Sequence, residues 1–200
     1  MIHPSRNFPP ATGALLTAIL LLGVTLRAEV QIERTYMPFD AAPSSFAIGL
    51  PGGVNFCFDP VRGGVSYVWT GGFIDISSVR PGVGGKFITP VTLLGPVVHR
   101  EDGIVPLRRG DPAQVPVYEF KGYTLLDAGV EFRYTLDGIL VRETIRARSA
   151  PGGGLIRRFV FEGATDARWW YVTDGKPATE LTPSADGSRI IETIFLPPSP

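Results

Sequence analysis

The sequence predicts an all-β fold: an antiparallel β-sandwich of two curved sheets, in the manner of a supersandwich. Three observations carry this. Short apolar and aromatic runs of four to nine residues recur along the chain with period-two alternation. Glycine, proline and aspartate separate them, with 24 Gly and 19 Pro in 200 residues, too many for long helices. No segment shows the 3.6-residue periodicity of an amphipathic helix.

In chain order, residues 1–28 read as a secretory signal peptide. Arg6 and the free amine precede the 13-residue apolar run "ALLTAILLLGVTL", Ala14 to Leu26, which ends at a small Ala28. The run is shorter than the roughly 20 residues of a membrane-spanning helix, and no Cys follows it to carry a lipid. The alternative is an uncleaved anchor, since Leu26 is a poor residue two places before the cut. Cleavage after Ala28 leaves 17 basic and 19 acidic residues, a net charge of −2, with no pull toward nucleic acid and no stable membrane span. The expected location is therefore periplasmic or extracellular.

Residues 29–45 form an extended lead-in with Pro38 and Pro43. A single sandwich domain spans 46–196, and 197–200 is a proline-rich tail. Strands are expected at Phe46–Leu50, Val54–Asp59, Val65–Thr70, Phe73–Ile76 and Val91–Val98, with residues 80–90 and 99–116 loop-like. They continue at Val117–Leu125, Val130–Leu136, Ile139–Ala147, Leu155–Glu162, Trp169–Thr173 and Arg189–Phe195. The clearest unit is the hairpin around Asp137-Gly138, the favoured two-residue turn. Counting outward pairs Leu136 with Ile139, Tyr134 with Val141, Phe132 with Glu143 and Val130 with Ile145 on one face. Arg133 then faces Arg142 on the other.

Cys57 is the only cysteine, so no internal disulfide is available even in an oxidising compartment. A small buried side chain is the preferred reading, with a reactive or intermolecular thiol as the alternative. Alternation puts Val54, Phe56 and Phe58 on one face of their strand and Asn55, Cys57 and Asp59 on the other. In the next strand Val65, Tyr67 and Trp69 are expected to share a face. The polar face with Asn55 and Asp59 meets either a ligand or another strand.

No metal site and no cofactor are expected. After signal cleavage His99 is the only histidine, and the chain holds no C-x-x-C-H, H-E-x-x-H or G-x-S-x-G motif. Glu143, alone on an apolar face, is the candidate catalytic residue: desolvation would suit it to general acid or base work in a sugar-active enzyme. The competing and preferred reading is an ion pair with Arg157, which alternates with Phe159 and Phe161 and so reaches the same layer. Arg133 and Arg142, like charges across a hairpin, offer a platform for an anionic sugar or phosphate, or a solvated face relieved by Glu131. Trp169 and Trp170, neighbours that must point to opposite faces, invite sugar stacking by one of them, against the commoner core role of strand aromatics. "RGD", Arg109 to Asp111, reads as a turn.

The order of "GLPGGVNFCFDPVRGGVSYVWTGGFID" (Gly49 to Asp75), "LLGP" (Leu93 to Pro96), "PLRRGD" (Pro106 to Asp111), "FKGYTL" (Phe120 to Leu125) and "EFRYTLDG" (Glu131 to Gly138) resembles a β-rich accessory module of large secreted bacterial proteins. Those proteins also carry CxxCH haem domains. The similarity runs from about Phe46 to Phe161. It implies an accessory module of an exported, sugar-processing or redox multidomain protein; without a CxxCH, haem binding does not carry over. The second half also looks like the sandwich of galactose-mutarotase-like proteins, an analogy of fold alone. The expected function is an exported non-catalytic module that binds carbohydrate or docks with other secreted protein domains. The rivals are a sugar-active enzyme using Glu143 and a structural spacer.

Overall fold

A computed structural model of the protein describes residues 29–77, 89–149, 153–163, 167–173 and 175–194. The expected signal peptide and proline-rich tail lie outside these residues, as do positions 80–88 of the first expected loop. Strands β1 (Gln31–Arg34), β2 (Phe46–Leu50), β3 (Val54–Asp59), β4 (Gly64–Thr70), β5 (Ile74–Asp75), β6 (Thr92–Leu93), β7 (Val97–Arg100) and β8 (Leu107–Arg109) make the first half. The second half holds β9 (Tyr118–Leu126), β10 (Gly129–Leu136), β11 (Ile139–Ala147), β12 (Gly154–Phe161), β13 (Trp169–Tyr171), β14 (Thr179–Glu180) and β15 (Arg189–Ile194). Among the described residues there is no helix.

The β10–β11 hairpin forms in the register that the sequence dictates, Leu136 opposite Ile139 and Phe132 opposite Glu143. Its turn has positive φ at both central residues, Asp137 at 49° and Gly138 at 82°, the twist that matches the flanking strands. Strands β15-β12-β11-β10-β9 form one antiparallel sheet, and β1-β2-β3-β4-β7 form the other. Their inner faces pack on each other: Phe46, Ile48, Phe56, Phe58, Val65 and Val68 meet Val130, Phe132, Tyr134, Val141, Ile145 and Phe159. Phe58 stacks flat on Phe132, centroids 3.8 Å apart. A smaller sheet, β14-β13-β8, adds Leu107, Trp169 and Tyr171 to the same core. The fold is therefore the all-β sandwich that the alternation predicts.

The first sheet is covered on both faces. Its outer face carries a second cluster of Met37, Ala41, Ala47, Cys57, Tyr67, Trp69 and Val91, with Phe73, Ile74, Leu93 and Val97 against it. Here the expected lead-in is corrected. Residues 29–45 supply edge strand β1, paired Ile32 to Ile48, and a cap that buries Met37 and Ala41. A face as apolar as that of Cys57, Tyr67 and Trp69 must be taken from water, and the chain ahead of β2 does this.

A β-bulge corrects the expected face of Val65. Cys57 pairs with Tyr67, but Phe58 pairs with Val65, so Ser66 is an extra residue. Val65 consequently turns into the main core while Tyr67 and Trp69 stay on the outer face. The polar partners of this strand serve turns. Asn55 donates to the carbonyls of Gly71 (3.4 Å) and Gly72 (3.2 Å), and the Trp69 indole donates to those of Gly72 and Phe73. Asp59, fully buried, accepts from the amides of Val61 (2.8 Å) and Arg62 (3.1 Å) and pairs with the Arg62 side chain at 2.8 Å.

The single strand expected over Val91–Val98 is two, β6 and β7, because Gly95-Pro96 breaks it. A Cβ on Gly95 would lie 1.8 Å from the Thr70 carbonyl oxygen, so only glycine fits there. The expected loop over 99–116 is also interrupted: β7 runs on to Arg100, and Leu107–Arg109 pairs with β13. That long-range pairing, like the two-residue β14, leaves no local trace in the sequence.

Cys57 is a free, fully buried thiol whose ionisation burial pushes up to about 12. In native buffer at pH 8 a thiol reagent should modify it far more slowly than in denaturant. A single fast phase in native buffer would contradict this packing.

Candidate functional site

Glu143 is held where the hairpin register puts it, on the buried face beside Phe132, with its side chain 0% exposed. A lone carboxylate there would be costly. It is satisfied by two groups: Arg157 Nε donates to Oε1 at 2.5 Å and the Tyr134 hydroxyl donates to Oε2 at 2.9 Å. Arg157 sits opposite Ile145, one step along from Glu143, and shares the inward face with Phe159. The expected ion pair with Arg157 is present, and both side chains are 0% exposed.

Arg157 reaches further. Its Nη1 donates to the Tyr171 hydroxyl at 2.8 Å and to Glu101 Oε2 at 3.2 Å. Glu101 Oε1 in turn meets His99 Nε2 at 3.2 Å. The result is a connected run: Tyr134, Glu143, Arg157, then Tyr171 and Glu101, then His99. Burial disfavours the Arg157 charge, but Glu143, Tyr171 and Glu101 more than offset it and hold the guanidinium well above its ordinary value. Burial likewise opposes ionised Glu101. The hydrogen bond from His99 and the Arg157 charge outweigh it, and hold its carboxyl below the usual carboxylate range. Tyr171 is pushed up, mainly by burial, and stays a neutral hydroxyl.

The outer end of this run opens into a cleft of about 520 Å³, within the usual size range of small-molecule sites. It lies between β7 and β15, each an edge strand of its own sheet. Its lining is His99, Arg100, Glu101, Asp102, Tyr171, Thr173, Lys176, Pro177, Thr179, Ile191, Glu192 and Thr193. Of these twelve residues only Pro177 and Ile191 have wholly apolar side chains. A second β-bulge aims His99. Val68 pairs with His99 but Trp69 pairs with Val97, so Val98 is extra, and His99 shares the inward face of Val68. Arg100, opposite Tyr67, goes to the outer face, where its guanidinium lies 4.1 Å from the Phe39 ring centroid. Glu192 pairs with Arg148 at 3.1 Å. Lys176 is the cation of the 173–179 segment, and its charge is among those that hold the Glu101 carboxyl low.

The other sequence candidates do not converge on this cleft or on each other. Arg133 and Arg142 face one another in register and are exposed on the outer face of their sheet. The carboxylate beside Arg142 is Glu162, at 3.3 Å, and not the expected Glu131, because β12 lies on that side and Glu131 stands opposite Thr144. Trp169 is fully buried and stacks on Phe161 at 4.0 Å, so it is a core residue. Trp170 points the other way and is half-buried. Its indole donates to Gly110 O at 2.8 Å, and Arg168, clamped on Glu180, covers its ring at 5.0 Å. Arg109 and Asp111 of "RGD" flank that same turn, with Asp111 Oδ1 accepting from the Ala113 amide.

His99, Glu101, Tyr171 and Lys176 were not singled out as a site by the sequence. The available signal was "HRE": a histidine and a glutamate two apart, the spacing that puts both on one side of an extended chain. Among the described residues no group of three or more His, Cys, Asp or Glu side chains converges on a metal position, and no helix is long and apolar enough to cross a membrane. No protein-family model matches the chain, and no curated protein and no solved structure matches it either.

Removing one partner of the buried pair leaves the other charge stranded. Arg157→Met should cost about 3–5 kcal/mol in urea unfolding. The double variant with Glu143→Leu should cost less than the two single variants added together. Additive losses would show that the two groups do not interact. Glu101 has a folded-state pKa below its unfolded value of 4.5. Its stabilisation is therefore complete above pH 4.5 and lost as pH falls through the lower folded value. Thermal melts from pH 6 to 3 should show a shallower acid slope for Glu101→Gln than for the native protein, and equal slopes would refute the assignment.

Proposed function

We propose that this chain is an exported, non-catalytic β-sandwich module that binds a small carbohydrate in the cleft between β7 and β15. The observation that carries the reading is the combination of that polar cleft with a buried, hydrogen-bonded charge network beneath it. Such a floor holds its side chains in one geometry before a ligand arrives, which reduces the ordering cost of binding. Charged and hydroxyl groups in the lining suit sugar hydroxyls, which both donate and accept. The ligand role is thereby moved from Arg133, Arg142, Trp169 and Trp170 to His99, Glu101, Tyr171 and Lys176. Sealing of Glu143 behind Arg157 weighs against the enzyme that would use it. The resemblance to accessory modules of large secreted proteins is in keeping with a binding role beside other domains, and remains part of the proposal.

Export is proposed from the signal-like residues 1–28. Cleavage after Ala28 would leave β1, which starts at Gln31, intact. One preparation tests both halves. The full chain is expressed in a secreting bacterial host, and the exported protein is sequenced from its N-terminus and then titrated with a panel of neutral and acidic mono- and oligosaccharides by calorimetry. A mature N-terminus at Glu29 and saturable binding of at least one sugar are expected. Retention in the cytoplasm would refute export, and no binding across the panel would remove the carbohydrate claim in favour of a structural spacer.

A further inference from the structure

Glu101 lies just past β7 of one sheet and Tyr171 on β13 of another, yet both are bonded to one atom, Arg157 Nη1, at 3.2 and 2.8 Å. Each keeps capacity beyond those bonds. Tyr171 accepts from Arg157, which leaves its own O–H proton to donate. Glu101 receives His99 on Oε1 and Arg157 on Oε2, and a carboxylate has about four acceptor positions. A fixed donor and a fixed acceptor therefore stand side by side in the cleft lining.

We propose that the Glu101 carboxylate and the Tyr171 hydroxyl act as one recognition pair for neutral hydroxyl groups, so that the cleft selects an uncharged sugar or polyol with adjacent hydroxyls. The inference rests on the reading of the cleft as a carbohydrate site and names its ligand class and contact atoms. One hydroxyl can donate to Glu101 while it or its neighbour accepts from Tyr171. An apolar group would leave the Tyr171 proton and the spare acceptor positions of Glu101 unpaired, a form of discrimination open to a small site. A carboxylate would meet the Glu101 charge, whereas an ammonium could pair with Glu101 but has no acceptor for the Tyr171 proton and faces the Arg157 guanidinium behind it. Arg157, buried, is a positioning residue: it sets the distance between donor and acceptor and touches no ligand.

The mature chain, residues 29–200, labelled with ¹⁵N, is titrated with glucose, galactose and mannose and with glucuronate and glucosamine as charged counterparts. At least one neutral sugar should shift the amides of His99–Asp102 and Tyr171–Thr173, with charged counterparts about tenfold weaker or more. Tyr171→Phe keeps the ring and removes the donor; it should weaken the neutral sugar by about tenfold while the melting temperature moves only a few degrees. Glu101→Gln should weaken it similarly, but the Phe variant decides the matter if the Gln variant does not fold. Native affinity in Tyr171→Phe, or preference for a charged sugar at the same amides, overturns the pair while leaving the carbohydrate reading intact. Shifts confined to other regions, or no shifts with any sugar, overturn both.

Discussion

Arg157 joins all three packed layers of this protein. It projects from β12 of one large sheet, holds Glu143 on the neighbouring strand of that sheet, and bonds Glu101 just beyond β7 of the other. Through Tyr171 it also holds the small sheet. The Arg157 and Glu143 side chains are 0% exposed and that of Glu101 is 7% exposed, so several kcal/mol of desolvation per ion must be offset. Hydrophobic side chains of equal volume could fill the same space with as much stability. They could not fix the spacing of three sheets through directed bonds. The network is thus best understood as a device for geometry, and the geometry it fixes is that of the cleft.

The rest of the core obeys a simpler rule. With one cysteine and no disulfide, cohesion has to come from buried apolar area. The chain obtains it by covering the first sheet twice, on one face with the second sheet and on the other with residues 35–45 and the β5–β6 ribbon. That second covering explains why a strand as apolar as "VNFCFD" carries its polar residues inward: Asn55 and Asp59 each hold a turn at the margin of the cap. The glycine-rich stretch from Gly49 to Asp75 is accordingly a folding unit, with Gly71 and Gly72 shaped by Asn55 and Trp69.

Local pattern made much of this readable. The Asp137-Gly138 turn fixes the β10–β11 register by counting and so places Glu143 in the core, while alternation with Phe159 and Phe161 puts Arg157 on the same layer. Alternation cannot see bulges. The extra residues Ser66 and Val98 each reverse the faces on one side of the bulge, so Val65 enters the core against the count and His99 shares the inward face of Val68. Neither can it see pairings between distant segments. Leu107–Arg109 looks like loop until β13 lies beside it, and the meeting of Glu101 with Arg157 joins positions 56 residues apart. The candidate site was hidden because it is made from these two blind spots together.

The residues that looked most like a ligand platform also show why composition misleads. Trp169 and Trp170 are adjacent, so a strand must send one in and one out; the inner ring fills the core against Phe161, and the outer one is masked by Arg168. Arg133 and Arg142 repel across an exposed pair, yet high dielectric makes that repulsion cheap, and Glu162 relieves one of them. The cleft differs because its floor is sealed. Glu101 and Tyr171 are held at defined distances by a guanidinium that water does not reach. Among the described residues, that buried support stands where the edges of the two large sheets part.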